Sequence, residues 1–216
     1  IICNPLADSV ASYRRAIDNG VPLVFFGDTL EELPAVSYAA WDPKEVALAV
    51  QHLADIGRKR IAYLGFNDRR LIARARNDAV RMTLEKNGLP AGEPLFSLGK
   101  PHESVEQRIT NLFKSSRERP DALFALYDDT ALDAMDILER LGIRVPDDLL
   151  IAAGSGAIQN RMSRPSVTTL DLHPEGIAAR AVEVAVELAE GRTPRGPLEV
   201  PHATLDVRDS TRRARD

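Results

Sequence analysis

The sequence is poor in the features that build disulfide scaffolds, thiolate metal sites and membrane spans. Its 216 residues include one cysteine, Cys3, which excludes an internal disulfide and a metal site made of several thiolates. The purely apolar runs are only a few residues long, so no segment is expected to cross a bilayer. A lone cysteine is compatible with a reducing compartment, and we predict a cytoplasmic location.

A net positive charge and catalytic motifs are lacking as well. The net charge of −4 gives no chain-wide positive field of the kind that holds nucleic-acid backbones. Gly154-Ser155-Gly156 resembles a dinucleotide turn only superficially, since the third glycine position of that motif is Gln159. Ser155 is in no nucleophile elbow, and metal-ligand spacing is absent among the histidines, which are His52, His102, His173 and His202. We predict no catalysis, no cofactor and no metal.

What the sequence does contain is an alternation of short β-rich runs with longer helical patterns, typical of an α/β protein with largely parallel sheets. Strands are predicted over residues 22–26, 60–64, 121–126, 149–153, 167–170 and 203–207. Helices are predicted from residue 42 to Gly57, and over 74–87, 104–115, 128–141 and 175–190. The first should begin with a capping box, in which Asp42 caps the helix, Pro43 follows and Glu45 reaches back. Asp128 is expected to cap the fourth.

Several short motifs together resemble the effector-binding core of lactose/galactose-repressor family transcription regulators. Two are Arg164-Pro165-Ser166-Val167-Thr168-Thr169-Leu170 and, some forty residues later, Arg208-Asp209-Ser210-Thr211. The others are the stretch 42–65, the run 20–24 and the link 141–148, which is similar to the family's Gly-x-x-Val-Pro-x-Asp. The resemblance covers nearly the whole chain.

The resemblance implies a type I periplasmic-binding-protein-like fold, α/β, with two doubly wound parallel-sheet lobes joined by three crossings near residues 57–62, 168–173 and 191–197. The N-terminal lobe would be residues 1–60 plus 171–192, the C-terminal lobe 61–168 plus 195–211, and 212–216 a tail. Because the chain opens on strand-like Ile1-Ile2-Cys3, we expect the first lobe to be incomplete at its start and the family's DNA-binding head to be absent.

Three candidate ligand residues follow from the family's register. Arg76 matches an arginine that reaches into the cleft in relatives. The alternative interpretation is an ordinary solvated arginine on a helix. Tyr127 stands where relatives usually have Asn, and would face the ligand. Gly156 occupies the place of an acidic residue that commonly holds effector hydroxyls. With that carboxylate and the Asn both replaced, we expect common neutral monosaccharides to bind poorly.

The remaining candidates are rim residues. Trp41 is either a partly buried anchor or a ring that stacks on a flat ligand. Phe66 and Asn67 follow a predicted strand at the same rim, and His102 is either a further ligand contact or a plain loop histidine.

The resemblance therefore predicts a small-molecule effector-binding and dimerisation domain of a DNA-binding regulator. The ligand would lie in the interlobe cleft and alter the orientation of the lobes. Its partners would be a small-molecule effector, which need not be a simple sugar, and a second copy in a homodimer. Operator DNA would be contacted only through the absent head, and no membrane is involved. The alternative is a solute-binding protein of a transport system with the same fold. Such proteins generally lack the pair of motifs Pro-x-x-Thr-Thr and Arg-x-Ser-Thr.

Overall fold

A computed structural model describes residues 1–33, 36–67, 71–100, 102–114, 119–192 and 198–212. The strands are β1 (Ile2–Cys3), β2 (Val24–Phe26), β3 (Ser37–Ala39), β4 (Ile61–Leu64), β5 (Phe96–Ser97), β6 (Ala122–Ala125), β7 (Leu150–Ala153), β8 (Thr168–Asp171) and β9 (Thr204–Asp206). The helices are α1 (Val10–Asp18), α2 (Ala47–Asp55), α3 (Leu71–Lys86), α4 (Val105–Phe113), α5 (Asp128–Arg140), α6 (Gln159–Met162) and α7 (Pro174–Ala189).

Contacts divide the chain into two compact units. The first consists of Ile1–Glu45, Asp68–Arg76 and Leu172–Ala203, and the second of Val46–Asn67, Asn77–Asp171 and Thr204–Asp216. Helix α2 falls in the second unit because it packs on β6, β8 and β9, whereas the lobe boundary expected from the sequence lies at residue 60. Those lobe boundaries stay a prediction, and residues 193–197 of the third crossing and 213–216 of the tail lie outside the described residues.

The first unit is built on a parallel sheet in the order β1-β2-β3, against which α7 packs. Its core contains Leu23, Phe25 and Leu30, and Tyr13 of α1 meets Phe25 edge-on with ring centroids 5.2 Å apart. Helix α7 buries Ile177, Ala181 and Val184, which lie at helical spacing on one face.

The second unit is built on a six-stranded sheet in the order β5-β4-β6-β7-β8-β9. All neighbouring strands are parallel except β9, which runs antiparallel to β8. The central strands β4, β6 and β7 are buried throughout, as expected of parallel strands covered on both faces. This arrangement brings the carboxyl ends of five strands to one edge.

Alternation along the strands separates two cores in the second unit. Ala62 and Leu64 face a cluster that includes Ile109 of α4 and Ala131 of α5. Tyr63 points to the opposite face, where its ring lies 4.9 Å from that of Phe96 and 5.7 Å from that of Phe124. In the described part of the chain, no helix has the length and apolarity required to cross a membrane.

The predicted strands are all present. The strand predicted at 167–170 is shifted by one residue to Thr168–Asp171, and the other five are each shorter by one or more residues. Strands β3 and β5 were not predicted. The capping box at residue 42 is half right. Asp42 Oδ1 accepts the N–H of Lys44 at 2.8 Å, but the Glu45 carboxylate binds the N–H of Ala203 at 2.8 Å and the ring of His202. The chain then makes a 3-10 turn over Pro43–Val46 before α2 begins. A complete capping box stands instead at α4, between Ser104 and Gln107.

Candidate functional site

Two aromatic side chains meet at the carboxyl edge of the second unit's sheet. Phe66 comes shortly after β4 and Tyr127 shortly after β6, and these strands are neighbours. The ring centroids are 5.3 Å apart with planes inclined at 49°. The carboxyl edge of a parallel sheet is where α/β proteins bind ligands, so these two predicted residues lie where a binding surface is expected.

Phe66 is fixed in place by its neighbours. A Cβ on Gly65 would lie 2.5 Å from Cε1 of Tyr63, so only glycine fits between the strand and the loop. Tyr63 donates its hydroxyl proton to Asn77 Oδ1 at 2.6 Å, and Asn77 Nδ2 donates to the carbonyl of Phe66 at 2.9 Å. Sequence reasoning missed both supporting residues.

Arg108 lies beside the same loop and was also missed. It is buried on α4, where it donates to the carbonyls of Gly65 (2.8 Å) and Ser97 and to Ser97 Oγ (3.0 Å). Its Cζ lies 5.5 Å from the centre of the Phe66 ring, within cation–π range. Burial lowers the pKa of Arg108, and the nearby Glu103 opposes that effect. The sequence signal was its position one residue before Ile109, on the inward face of the helix.

Asp128 organises the loop after β7 and does not cap α5. The helix has Tyr127 as its N-cap residue, without a side-chain cap bond. The buried Asp128 carboxylate accepts instead from Ala157 N–H at 2.6 Å, Asn160 Nδ2 at 2.7 Å and Thr169 Oγ1 at 3.1 Å. Such charge-assisted bonds fix the backbone next to Tyr127. An adjoining pocket of about 420 Å³ is lined by Tyr127, Asp128, Ser155 and Ala157, among others.

Gly156 lies on that loop in a conformation that excludes a side chain. Its φ is +74°, and a Cβ would lie 2.5 Å from the carbonyl oxygen of Leu170. Its N–H donates to Thr169 Oγ1 at 3.1 Å, so it contributes backbone and no side-chain chemistry. The carboxylate expected here in relatives has no counterpart at this residue.

Asn67 and His102 are the outer members of the predicted set. Asn67 is exposed, donates its N–H to Leu98 O at 2.9 Å and lines a pocket of about 440 Å³. His102 is exposed on a loop at φ +66°, and it does not line the pocket of Asn67 or that of Tyr127.

Arg76 and Trp41 form a pair in the first unit. The Arg76 Cζ lies 4.3 Å from the centre of the Trp41 ring, and its Nη2 donates to Gly27 O at 3.3 Å. Both side chains are buried, Trp41 with 3% of its surface exposed and Arg76 with 6%. One face of the indole is therefore occupied by the guanidinium, which favours the anchor interpretation of Trp41. Asp28, the residue after Gly27, accepts the N–H groups of Thr29 (2.8 Å) and Ile72 (3.1 Å).

A mostly parallel α/β sheet with aromatic and polar groups gathered at its carboxyl edge is the arrangement that α/β proteins use to bind small molecules. A family model described as a periplasmic binding protein-like domain matches residues 50–211. The chain belongs to this family, and its relatives identify it as an effector-binding core of the lactose/galactose-repressor type.

Three known proteins illustrate the relationship. The transcriptional regulator GalR of Escherichia coli is 33% identical over 157 residues, which are 72% of this chain and 43% of GalR. The crystal structure of a LacI family transcriptional regulator from Mycobacterium smegmatis has a TM-score of 0.81 and 23% identity, over 97% of this chain and 77% of that chain. The complex of the regulator CelR with cellobiose has a TM-score of 0.84 and 24% identity, over 97% of this chain and 64% of that one. The chain spans less than half the length of GalR, and the type I periplasmic-binding-protein-like fold is established.

Proposed function

We propose that this chain is the small-molecule sensor of a DNA-binding transcription regulator. The observation that carries the proposal is the contact between Phe66 and Tyr127 at the carboxyl edge of the sheet. The Arg108 guanidinium lies within cation–π range of the Phe66 ring. The chain's relatives GalR and PurR are transcriptional regulators, which supports the proposal. The effector would contact this edge together with Arg76 of the first unit, and its binding would bias the orientation of the lobes.

The regulator is favoured over a solute-binding protein by its named relatives. The two motifs that support this choice interlock physically, because Thr168 N–H donates to Ser210 Oγ at 2.8 Å. A homodimer and a cytoplasmic location belong to the same proposal. Reading the coding sequence upstream of Ile1 distinguishes the alternatives: a helix-turn-helix segment supports the regulator, and an apolar signal segment supports the transport protein.

The effector would differ from a neutral monosaccharide. Tyr127 offers a ring and one hydroxyl, and Gly156 offers no carboxylate to bind sugar hydroxyls. We therefore expect galactose and glucose at micromolar concentration to leave the melting temperature unchanged. Metabolites with a flat ring or an anionic group should raise it, as measured by differential scanning fluorimetry.

Variants test where such a ligand binds. Tyr127→Ala should weaken any hit by about tenfold, since the loss of one aromatic contact costs roughly 1.4 kcal/mol. Tyr127→Phe keeps the ring and separates stacking from the hydroxyl. Met82→Ala is the control, because Met82 is 68% exposed on α3. A melting-temperature increase with a neutral monosaccharide, or hits that are indifferent to Tyr127→Ala, contradicts the proposal.

A further inference from the structure

A second pocket lies along the outer edge of the second unit's sheet, where β5 is the last strand. Its volume is about 440 Å³, in the range of small-molecule sites. Its lining includes three cationic side chains and two acidic ones, which are Arg81, Lys100, Arg108, Glu93 and Glu103. Asn67 of the candidate effector set also lines this pocket, but the proposed effector contacts are Phe66, Tyr127 and Arg76, which are not among its lining residues.

Arg108 is the unusual member of this lining. Only 4% of its surface is exposed, yet no carboxylate oxygen in the described part of the chain forms an ion pair with it. Its bonds go to two carbonyls and a hydroxyl, and they use Nε and Nη2. The remaining nitrogen, Nη1, has no hydrogen-bond partner among the described residues. Glu103 opposes the effect of burial on the Arg108 pKa only in part. Burying a guanidinium is costly, and an anion in direct contact would offset more of that cost.

The space beside Nη1 is kept open by a glycine. Gly99 adopts φ +72°, and a Cβ there would lie 3.4 Å from Arg108 Nη1. Since Gly99 has no side chain, the free nitrogen is not covered from that side. Gly99 and Arg108 both line the pocket, so Nη1 faces space that a ligand can occupy.

The other charged side chains of the pocket differ in how many contacts they already make within the protein. Arg81 stacks on Phe96, with its Cζ 4.0 Å from the ring centre, and Nη1 of Arg81 donates to Ala91 O at 2.8 Å. Lys100 is exposed at the pocket rim. Glu103 Oε2 accepts the N–H of Lys100 at 3.1 Å, which partly satisfies that carboxylate. Glu93 is exposed and therefore well hydrated.

We propose that this pocket binds a small oxyanion, a phosphate group foremost, on Arg108 Nη1 with Arg81 and Lys100 completing the site. The guanidinium geometry suits phosphate oxygens, and burial strengthens the attraction. The volume leaves room for a small organic group attached to the phosphate. This site goes beyond the proposed effector function and does not depend on it.

Isothermal titration calorimetry with inorganic phosphate and with glycerol 3-phosphate, at 0.15 M ionic strength set by sodium chloride, tests the proposal. Saturable binding of either compound supports it. A tighter ester would mean that the natural ligand is a phosphorylated small molecule, and equal affinities would indicate the phosphate group alone. Heats no larger than those of a matched chloride titration for both compounds would overturn the proposal.

Matched variants locate the binding. The double variant Arg81→Gln with Lys100→Gln should weaken phosphate binding at least about tenfold by removing two charge-assisted contacts. Lys59→Gln with Lys86→Gln removes the same net charge from exposed positions outside the pocket and should change the affinity less than about twofold. Arg108→Gln should abolish binding if circular dichroism shows a folded protein. Equal losses in the two double variants would mean diffuse attraction and would refute the site.

Discussion

Gly156 shows how one residue restricts the chemistry of the candidate site. The family resemblance implies an acidic side chain at this place, yet the local backbone has no room for any side chain. Two costs are combined here: a left-handed φ of +74° and a Cβ position 2.5 Å from Leu170 O. The variant Gly156→Asp restores the carboxylate, but its side chain would push Leu170 of β8 out of place. The strand would therefore be disturbed before the carboxylate could bind a ligand.

A pair of glycine variants separates these two costs. Gly142 ends α5 at φ +72°, and a Cβ there meets nothing within 4 Å. Gly142→Ala should cost about 1 kcal/mol for the left-handed backbone alone. Gly156→Ala should cost about 3 kcal/mol or more, because the steric overlap is added. Urea unfolding measures both, and equal losses would show that the loop after β7 relaxes freely.

The candidate site could be predicted from the sequence only in part. Phe66 and Tyr127 follow β-rich runs, so their place at the sheet edge follows from parallel topology. The partners of Arg108 and Asp128 come from distant segments, and no local pattern indicates those contacts. For Asp128, local capping preference gave the wrong answer because tertiary acceptor bonds determined the position of the carboxylate.

At the scale of elements, segments 164–170 and 208–211 form one hydrogen-bonded cluster with helix α2, which we call the polar joint. Thr211 Oγ1 lies 2.7 Å from Thr168 Oγ1 and 3.0 Å from His52 Nε2. Ser210 Oγ donates to Ile151 O at 2.6 Å, which ties the segment after β9 to strand β7. These bonds hold the run near residue 168 and the run near residue 210 together in the fold.

This joint should make stability fall in mild acid. Burial lowers the pKa of His52 below its usual 6.5, opposed by Asp55 and reinforced by Arg212. The folded state therefore disfavours the protonated ring more than the unfolded state does. The contribution of His52 is complete above pH 6.5 and is lost as the pH falls through the folded pKa. Urea unfolding should show a lower midpoint at pH 5.5 than at pH 7.5.

Substitution at His52 checks the origin of that pH dependence. His52→Gln keeps a polar group near Thr211 and cannot be protonated, so its loss of stability on acidification should be smaller than that of the wild type. His102→Gln serves as the control because His102 is exposed on a loop. If both variants lose as much stability as the wild type between the two pH values, other groups cause the effect.

Element positions were predictable where a periodic pattern is long. The buried strands β4, β6 and β7 and the helices α4, α5 and α7 follow from apolar spacing and caps. Strands β3 and β5 contain three and two residues, too few to show an alternation. Their place is set by pairing with β2 and β4, which is tertiary information.

At the scale of the whole molecule, the repressor-type resemblance gave the fold class that the comparisons establish. The alternation of β-rich runs and helical patterns indicated an α/β protein, and the particular topology needed the motifs. The assignment of α2 to a unit depended on its packing against β6, β8 and β9, which its own amphipathic pattern does not specify. Sequence patterns thus show which face of a helix is buried, while the sheet that buries it is decided by long-range contacts.

The proposed homodimer is the prediction that belongs to this scale. Helix α7 buries one face and leaves Val182 and Val186 about half exposed, one turn apart on its other side. A second copy of the chain would remove this apolar pair from water. At tens of micromolar we expect sedimentation velocity to give the mass of a dimer, and Val182→Asp with Val186→Asp to shift the population towards monomer. Met82 is also apolar and exposed, on α3, so Met82→Asp should leave the dimer intact. If Met82→Asp dissociates the dimer as well, the valine variants act through a general loss of folding. A monomeric wild type would refute the proposed interface.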